Sequence, residues 1–114
     1  MSVVLVTSDL MVVSHVQGAA ARAGVAVQTA ANADQAAELA KMTETRLVIV
    51  DLAMPSLKLS ALVTRCKAQR PTAPRIVAFG PHVHEDRLAA ARHAGCDAVM
   101  SRGQFFSQVD ALLP

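Results

Sequence analysis

Leu47-Val48-Ile49-Val50-Asp51-Leu52-Ala53-Met54-Pro55 is the stretch that decides how this chain is read. Its first four residues are apolar, three of them β-branched, and leave no polar face, as in a strand covered on both sides within a parallel sheet. Asp51 then stands at the carboxyl end of that strand, where open α/β sheets hold their ligands. A carboxylate there can serve as a catalytic acid, a metal ligand or a phosphate acceptor. It can also do no more than cap the following loop or helix.

Outward from this run the pattern repeats. Residues 3–6, 25–27, 76–79 and 98–100 are four more short apolar runs separated by segments of helical composition, which predicts five βα units around a parallel sheet. Leu10, Val13, Val16, Ala20 and Ala23 recur at helical spacing, and Gly24 supplies a stop. A second helix is expected over residues 32–42, burying Ala36, Leu39 and Ala40 behind a capping side chain. The third starts near Ser56, turns Leu59, Leu62, Val63 and Cys66 inward, and is closed by Arg70-Pro71. A fourth begins at Glu85-Asp86 and stops at Gly95, and a last, residues 104–113, offers Phe105, Val109 and Leu112 to the core.

Composition bounds the function. With 114 residues, 53% of them hydrophobic, the chain holds one domain with one core, expected as residues 1–114 without an output domain. A net charge of +2 without a basic run, and aromatics limited to Phe79, Phe105 and Phe106, exclude a stacking platform and argue for no nucleic-acid or membrane partner. Arg65, Lys67, Arg70 and Arg75 read as a solvated helix face. Cys66 and Cys96 have no paired spacing, and the apolar start lacks the length and basic flank of a signal peptide, so free thiols in the cytoplasm are expected. His82, His84, His93 and Cys96 fall within a short stretch without the spacing of four converging ligands, so no metal site is expected. No Ser/Cys–His–acid set supports a hydrolase.

In order and spacing, these residues resemble the receiver domain of two-component response regulators over nearly the whole chain. Val3 to Val6 are similar to the family's first strand, and Asp51 with Met54-Pro55 to its phospho-acceptor strand end and following turn. Ala89-Ala90-Ala91-Arg92-His93-Ala94-Gly95 is similar to its alanine-rich fourth helix, and Arg102 stands where the family has a lysine. The resemblance implies a flavodoxin-like, doubly wound, five-stranded parallel sheet of order 2-1-3-4-5. It also implies the phospho-acceptor position for Asp51.

The family's chemistry departs at several positions. Two acids that join the acceptor in holding Mg²⁺ are replaced by Thr7-Ser8, and the hydroxyl after the fourth strand by Gly80. The aromatic on the fifth strand becomes Val99, and the Lys-Pro pair becomes Arg102-Gly103. A lone Asp51 with a backbone carbonyl near Ala53 is a poor Mg²⁺ site, and Asp9 substitutes only if the loop slips. The expected pocket is thus degenerate, with Thr7, Ser8, Asp9, Ala53, Gly80, His82 and Arg102 around Asp51, no catalytic residue and no cofactor. Arg102 either pairs with Asp51 in the metal's place or remains a solvated loop arginine beside Gly103. Thr7-Ser8, or Asp9, cap the first helix, and His82 overhangs the pocket.

The expected function is a stand-alone pseudo-receiver, not an enzyme, that signals through a protein partner or self-dimer. Its surface is residues 85–113, the fourth helix, fifth strand and fifth helix, with Arg87, Arg92 and Phe105 as candidates. One alternative is a working receiver that takes a phosphoryl group on Asp51 with Mg²⁺ in a phosphorelay. Another is a flavodoxin-like small-anion binder at the Thr7-Ser8 helix start, which no glycine-rich loop supports.

Overall fold

The computed structural model describes residues 2–69 and 72–114. Strands β1 (Ser2–Val6), β2 (Ala26–Ala30), β3 (Thr45–Asp51), β4 (Arg75–Gly80) and β5 (Ala98–Ser101) alternate with helices α1 (Leu10–Ala23), α2 (Ala33–Met42), α3 (Leu59–Lys67), α4 (Glu85–Ala94) and α5 (Arg102–Leu112). All strand pairs are parallel, in the order β2-β1-β3-β4-β5. This is the doubly wound (βα)5 arrangement expected from the sequence.

Alternation along the strands divides the core in two. Val4, Val6, Val48, Val50, Ile76 and Ala78 pack beneath α2, α3 and α4, while Val3, Leu5, Leu47, Ile49, Val77 and Phe79 pack beneath α1 and α5. Phe79 and Phe105 stack with ring centroids 4.1 Å apart, tying α5 to the sheet. Small residues let α2 lie close, with Ala33, Ala36, Ala37 and Ala40 buried and Leu39 only half-buried.

Several expected boundaries and faces move. Leu10 and Ala23 are exposed, and the buried stripe of α1 is Val12, Val16, Ala19 and Ala20. Leu10 occupies the first helical position after the Asp9 cap, past the end of β1, where no sheet lies beneath it. β2 begins at Ala26 because Gly24 adopts φ 73° and the Val25 amide is spent on the Ala20 carbonyl, closing α1. α3 begins at Leu59 rather than Ser56, since Ser56 sits in the left-handed region at φ 55° and cannot open a right-handed helix. Its expected close at Arg70-Pro71 lies outside the described residues. α5 starts at Arg102 because Ser101 and Gln104 form a reciprocal capping box, and Leu112 near its end is half-buried. Among the described residues no helix is long and apolar enough to cross a membrane.

Candidate functional site

β1 and β3 run side by side with Val6 opposite Val50, so Thr7 and Asp51 emerge as neighbours at the mouth of the sheet. The Thr7 hydroxyl donates to Asp51 Oδ2 at 2.7 Å, and the Ala53 amide donates to Oδ1 at 2.9 Å. Asp51 is 3% exposed and Thr7 5%. A carboxylate this deep requires donors on both oxygens, and these two supply them. Thr7 Oγ1 also accepts the Asp9 amide at 3.1 Å, so a single hydroxyl joins Asp51 to the start of α1.

Asp9, not the Thr7-Ser8 pair, caps α1. Its Oδ1 accepts the Met11 amide at 2.9 Å, while Oδ2 accepts Arg102 Nη2 at 2.9 Å. The Arg102 guanidinium, followed by the Met11 amide, holds the Asp9 carboxyl below the usual carboxylate range. Arg102 lies over the Phe106 ring at 5.0 Å, and His15 meets the same ring edge-on at 4.8 Å.

This corrects the expected Arg102–Asp51 pair and the expected loop around Gly103. Asp51 is buried beneath Thr7 and Ala53, whereas Asp9 presents Oδ2 at the head of α1, where Arg102 reaches it. Gly103 belongs to the first turn of α5. Ala53 contributes its N–H to the carboxylate rather than a carbonyl to a metal, and Ser8 is simply exposed.

The remaining residues divide by burial. Gly80 is buried, and a methyl group placed on it would stand 3.2 Å from Leu52 Cβ and 3.7 Å from Leu88 Cδ2. His82 is exposed in the turn before α4, as are His84 and His93. Phe105 is fully buried, so it is a core residue and not part of a partner surface. Arg92 is exposed; Arg87, also exposed, donates from Nη1 to the Leu52 carbonyl at 3.1 Å. Val99 is half-buried in β5. Cys96 is half-buried before β5, and burial, with the Asp97 carboxylate beside it, pushes its thiol up to about 11 against the Lys67 ammonium.

Two contacts escaped the sequence reading. Arg102 and Phe106 stand at i, i+4 on one helix, a spacing that signals such a pair. The reach of Arg87 to the Leu52 carbonyl has no local signal, because its partner is 35 residues away.

The Mg²⁺ implied by the resemblance does not fit these residues. Among the described residues Asp51 is the single carboxylate in the inner pocket, and the nearby Asp9 is neutralised by Arg102, so the hard oxygen ligands Mg²⁺ requires are not gathered. Among the described residues no three His, Cys, Asp or Glu side chains gather to hold a metal ion.

No protein-family profile matches the chain, and no curated protein sequence matches it. Solved structures do. The chain is similar to NtrX from Brucella abortus at 21% identity and TM-score 0.76, covering 97% of this chain but 25% of NtrX. Against the receiver domain of NtrX alone, coverage is 96% of this chain and 92% of the domain, again at 21% identity and TM-score 0.76. A response regulator from Hahella chejuensis aligns at 17% identity and TM-score 0.79, covering 97% of this chain and 90% of that one. The receiver domain of sensor histidine kinase PA1611 from Pseudomonas aeruginosa, with a magnesium ion coordinated in its active-site cleft, aligns at 16% identity and TM-score 0.79, covering 97% and 92%. Strand order and helix placement agree with these likenesses: the chain has the fold of response-regulator receiver domains.

Proposed function

We propose that this chain is a pseudo-receiver, a signalling module that works by protein–protein interaction rather than by Mg²⁺-dependent phosphorylation of Asp51, and that it has no enzymatic activity of its own. The observation carrying this reading is the closed inner pocket. Asp51 is buried with Thr7 and Ala53 donating to its two oxygens, and Arg102 is committed to Asp9. Phosphoryl transfer needs charge neutralisation on the transferred group, and among the described residues the pocket offers neither clustered acids for a metal nor a free cation at the carboxylate.

Output then depends on a surface. The face formed by α4, β5 and α5 is the candidate for a protein partner or second copy, with Arg92 exposed on it and Phe105 withdrawn beneath it. The free thiols Cys66 and Cys96 accord with a reducing, cytoplasmic setting.

The test is the amide NMR spectrum before and after addition of Mg²⁺ with beryllofluoride. Unchanged resonances are expected. Shifts centred on Asp51 and spreading to Gly80 and Arg102 would establish a phospho-accepting receiver instead.

A further inference from the structure

We propose that Arg87 is a positioning residue that latches α4 to the loop between β3 and α3, so that helix and loop move as one unit. α4 is weakly held by its own sequence. It buries only Leu88 and Ala91, and its first residue follows His84, whose side chain makes no capping hydrogen bond. By comparison α1 and α2 each bury four side chains and carry a capping Asp9 or Asn32.

Arg87 supplies the missing anchor. Between α4 and the loop runs a groove of about 280 Å³ lined by Leu52, Met54, Leu57, Arg87 and Ala90. Arg87 lines it, its Nη1 donating to the Leu52 carbonyl at 3.1 Å. Leu52 is itself fixed from the other side, where its amide donates to the Phe79 carbonyl of β4 at 2.8 Å. The chain of contacts therefore runs from β4 through Leu52 to α4.

Gly80 makes this arrangement possible. Leu52 lies so close to the end of β4 that even a methyl at position 80 would approach its Cβ to 3.2 Å, and Leu88 from α4 closes the same space at 3.7 Å. A larger side chain at position 80 displaces Leu52 and carries the Arg87 acceptor with it. Gly80 thus leaves room for Leu52 and Leu88 to close over the end of β4. Resting on the pseudo-receiver reading, the latch keeps the α4 part of the interaction face in one position.

Amide hydrogen exchange on the full chain tests this. Arg87→Ala is expected to speed exchange in α4 and in residues 52–56 together, by about tenfold or more in both. Arg87→Lys, which retains one donor, is expected to recover part of the protection, and Arg92→Ala on the same helix to leave both segments at wild-type rates. Gly80→Ala reaches the same unit by another route and is expected to loosen the same two segments. Wild-type rates in Arg87→Ala, acceleration confined to α4, or no recovery with lysine would overturn the proposal. If Arg87→Ala fails to fold by circular dichroism, Arg87→Met, which keeps the side-chain stem without a donor, takes its place, and wild-type rates in both segments would overturn the proposal. A beryllofluoride response in the wild type would refute the pseudo-receiver reading alone, leaving the exchange result to decide the latch.

Discussion

Thr7→Val tests the reasoning about the inner pocket most directly. Valine matches threonine in shape, so the substitution removes the hydroxyl that donates to Asp51 Oδ2 at 2.7 Å and little else. A hydrogen bond to a charged group is worth about 1.5–3 kcal/mol, and the buried carboxylate is left with one donor instead of two. The same hydroxyl accepts the Asp9 amide at 3.1 Å, a part-buried contact that adds less than about 1 kcal/mol. The expected loss is about 2–4 kcal/mol by urea denaturation. For 114 residues the unfolding entropy scales to about 0.24 kcal/mol per degree, so the melting temperature should fall by roughly 8–16 °C. In a double-mutant cycle with Asp51→Asn, the amide should cost less in the valine background than in the wild type, because the poorly satisfied charge is gone. A loss below about 0.5 kcal/mol, or strict additivity with Asp51→Asn, would refute the claim that Thr7 holds Asp51.

Asp9→Asn keeps a capping oxygen but removes the charge that faces Arg102. Because the folded carboxyl is held below its unfolded value, its contribution is fully present above about pH 3.9 and is lost as pH falls through the folded value. The wild-type advantage over Asp9→Asn in pH-dependent denaturation should therefore shrink at acid pH, and a gap that widened there would contradict the Asp9–Arg102 pair. Gly103→Ala meets no atom within 4 Å in the first turn of α5 and should stabilise by about 0.5–1 kcal/mol, whereas Gly95→Ala, at φ 100°, should destabilise. Equal signs at the two glycines in thermal melts would count against these helix ends. Cys96, with its thiol raised to about 11, should carry about 0.1% thiolate at pH 8 and react with iodoacetamide far more slowly than a free thiol. Alkylation at the rate of free cysteine would show that the thiol is not shielded.

The fold was largely legible in the chain because its signals are local. Five apolar runs, glycine stops at Gly24 and Gly95, and acids opening α4 each act within a few residues, and their alternation admits few topologies. Errors arose where a local signal met a neighbour distant in sequence. Leu10 had the spacing of a core residue but stands beyond the sheet, and Ser56 had a helix-start composition but turns left-handed. At the site, the sequence singles out Thr7, Ser8, Asp9, Ala53, Gly80, His82 and Arg102 around Asp51 as one constellation, of which Ser8 and His82 stand exposed.

How those residues pair depends on packing. Asp9 and Asp51 are both carboxylates near one guanidinium, and residue types alone do not choose between them. The choice follows from the β1–β3 register, which sets Thr7 against Asp51, and from the Ser101 capping box, which starts α5 at Arg102 and aims it at the head of α1. That a strand-end carboxylate sits in a five-stranded doubly wound sheet without its usual acidic neighbours is legible in the chain, because burial periodicity and residue identity are properties of the chain. Which donor reaches which oxygen depends on ångström-scale distances between segments up to 93 residues apart, and only packing sets those.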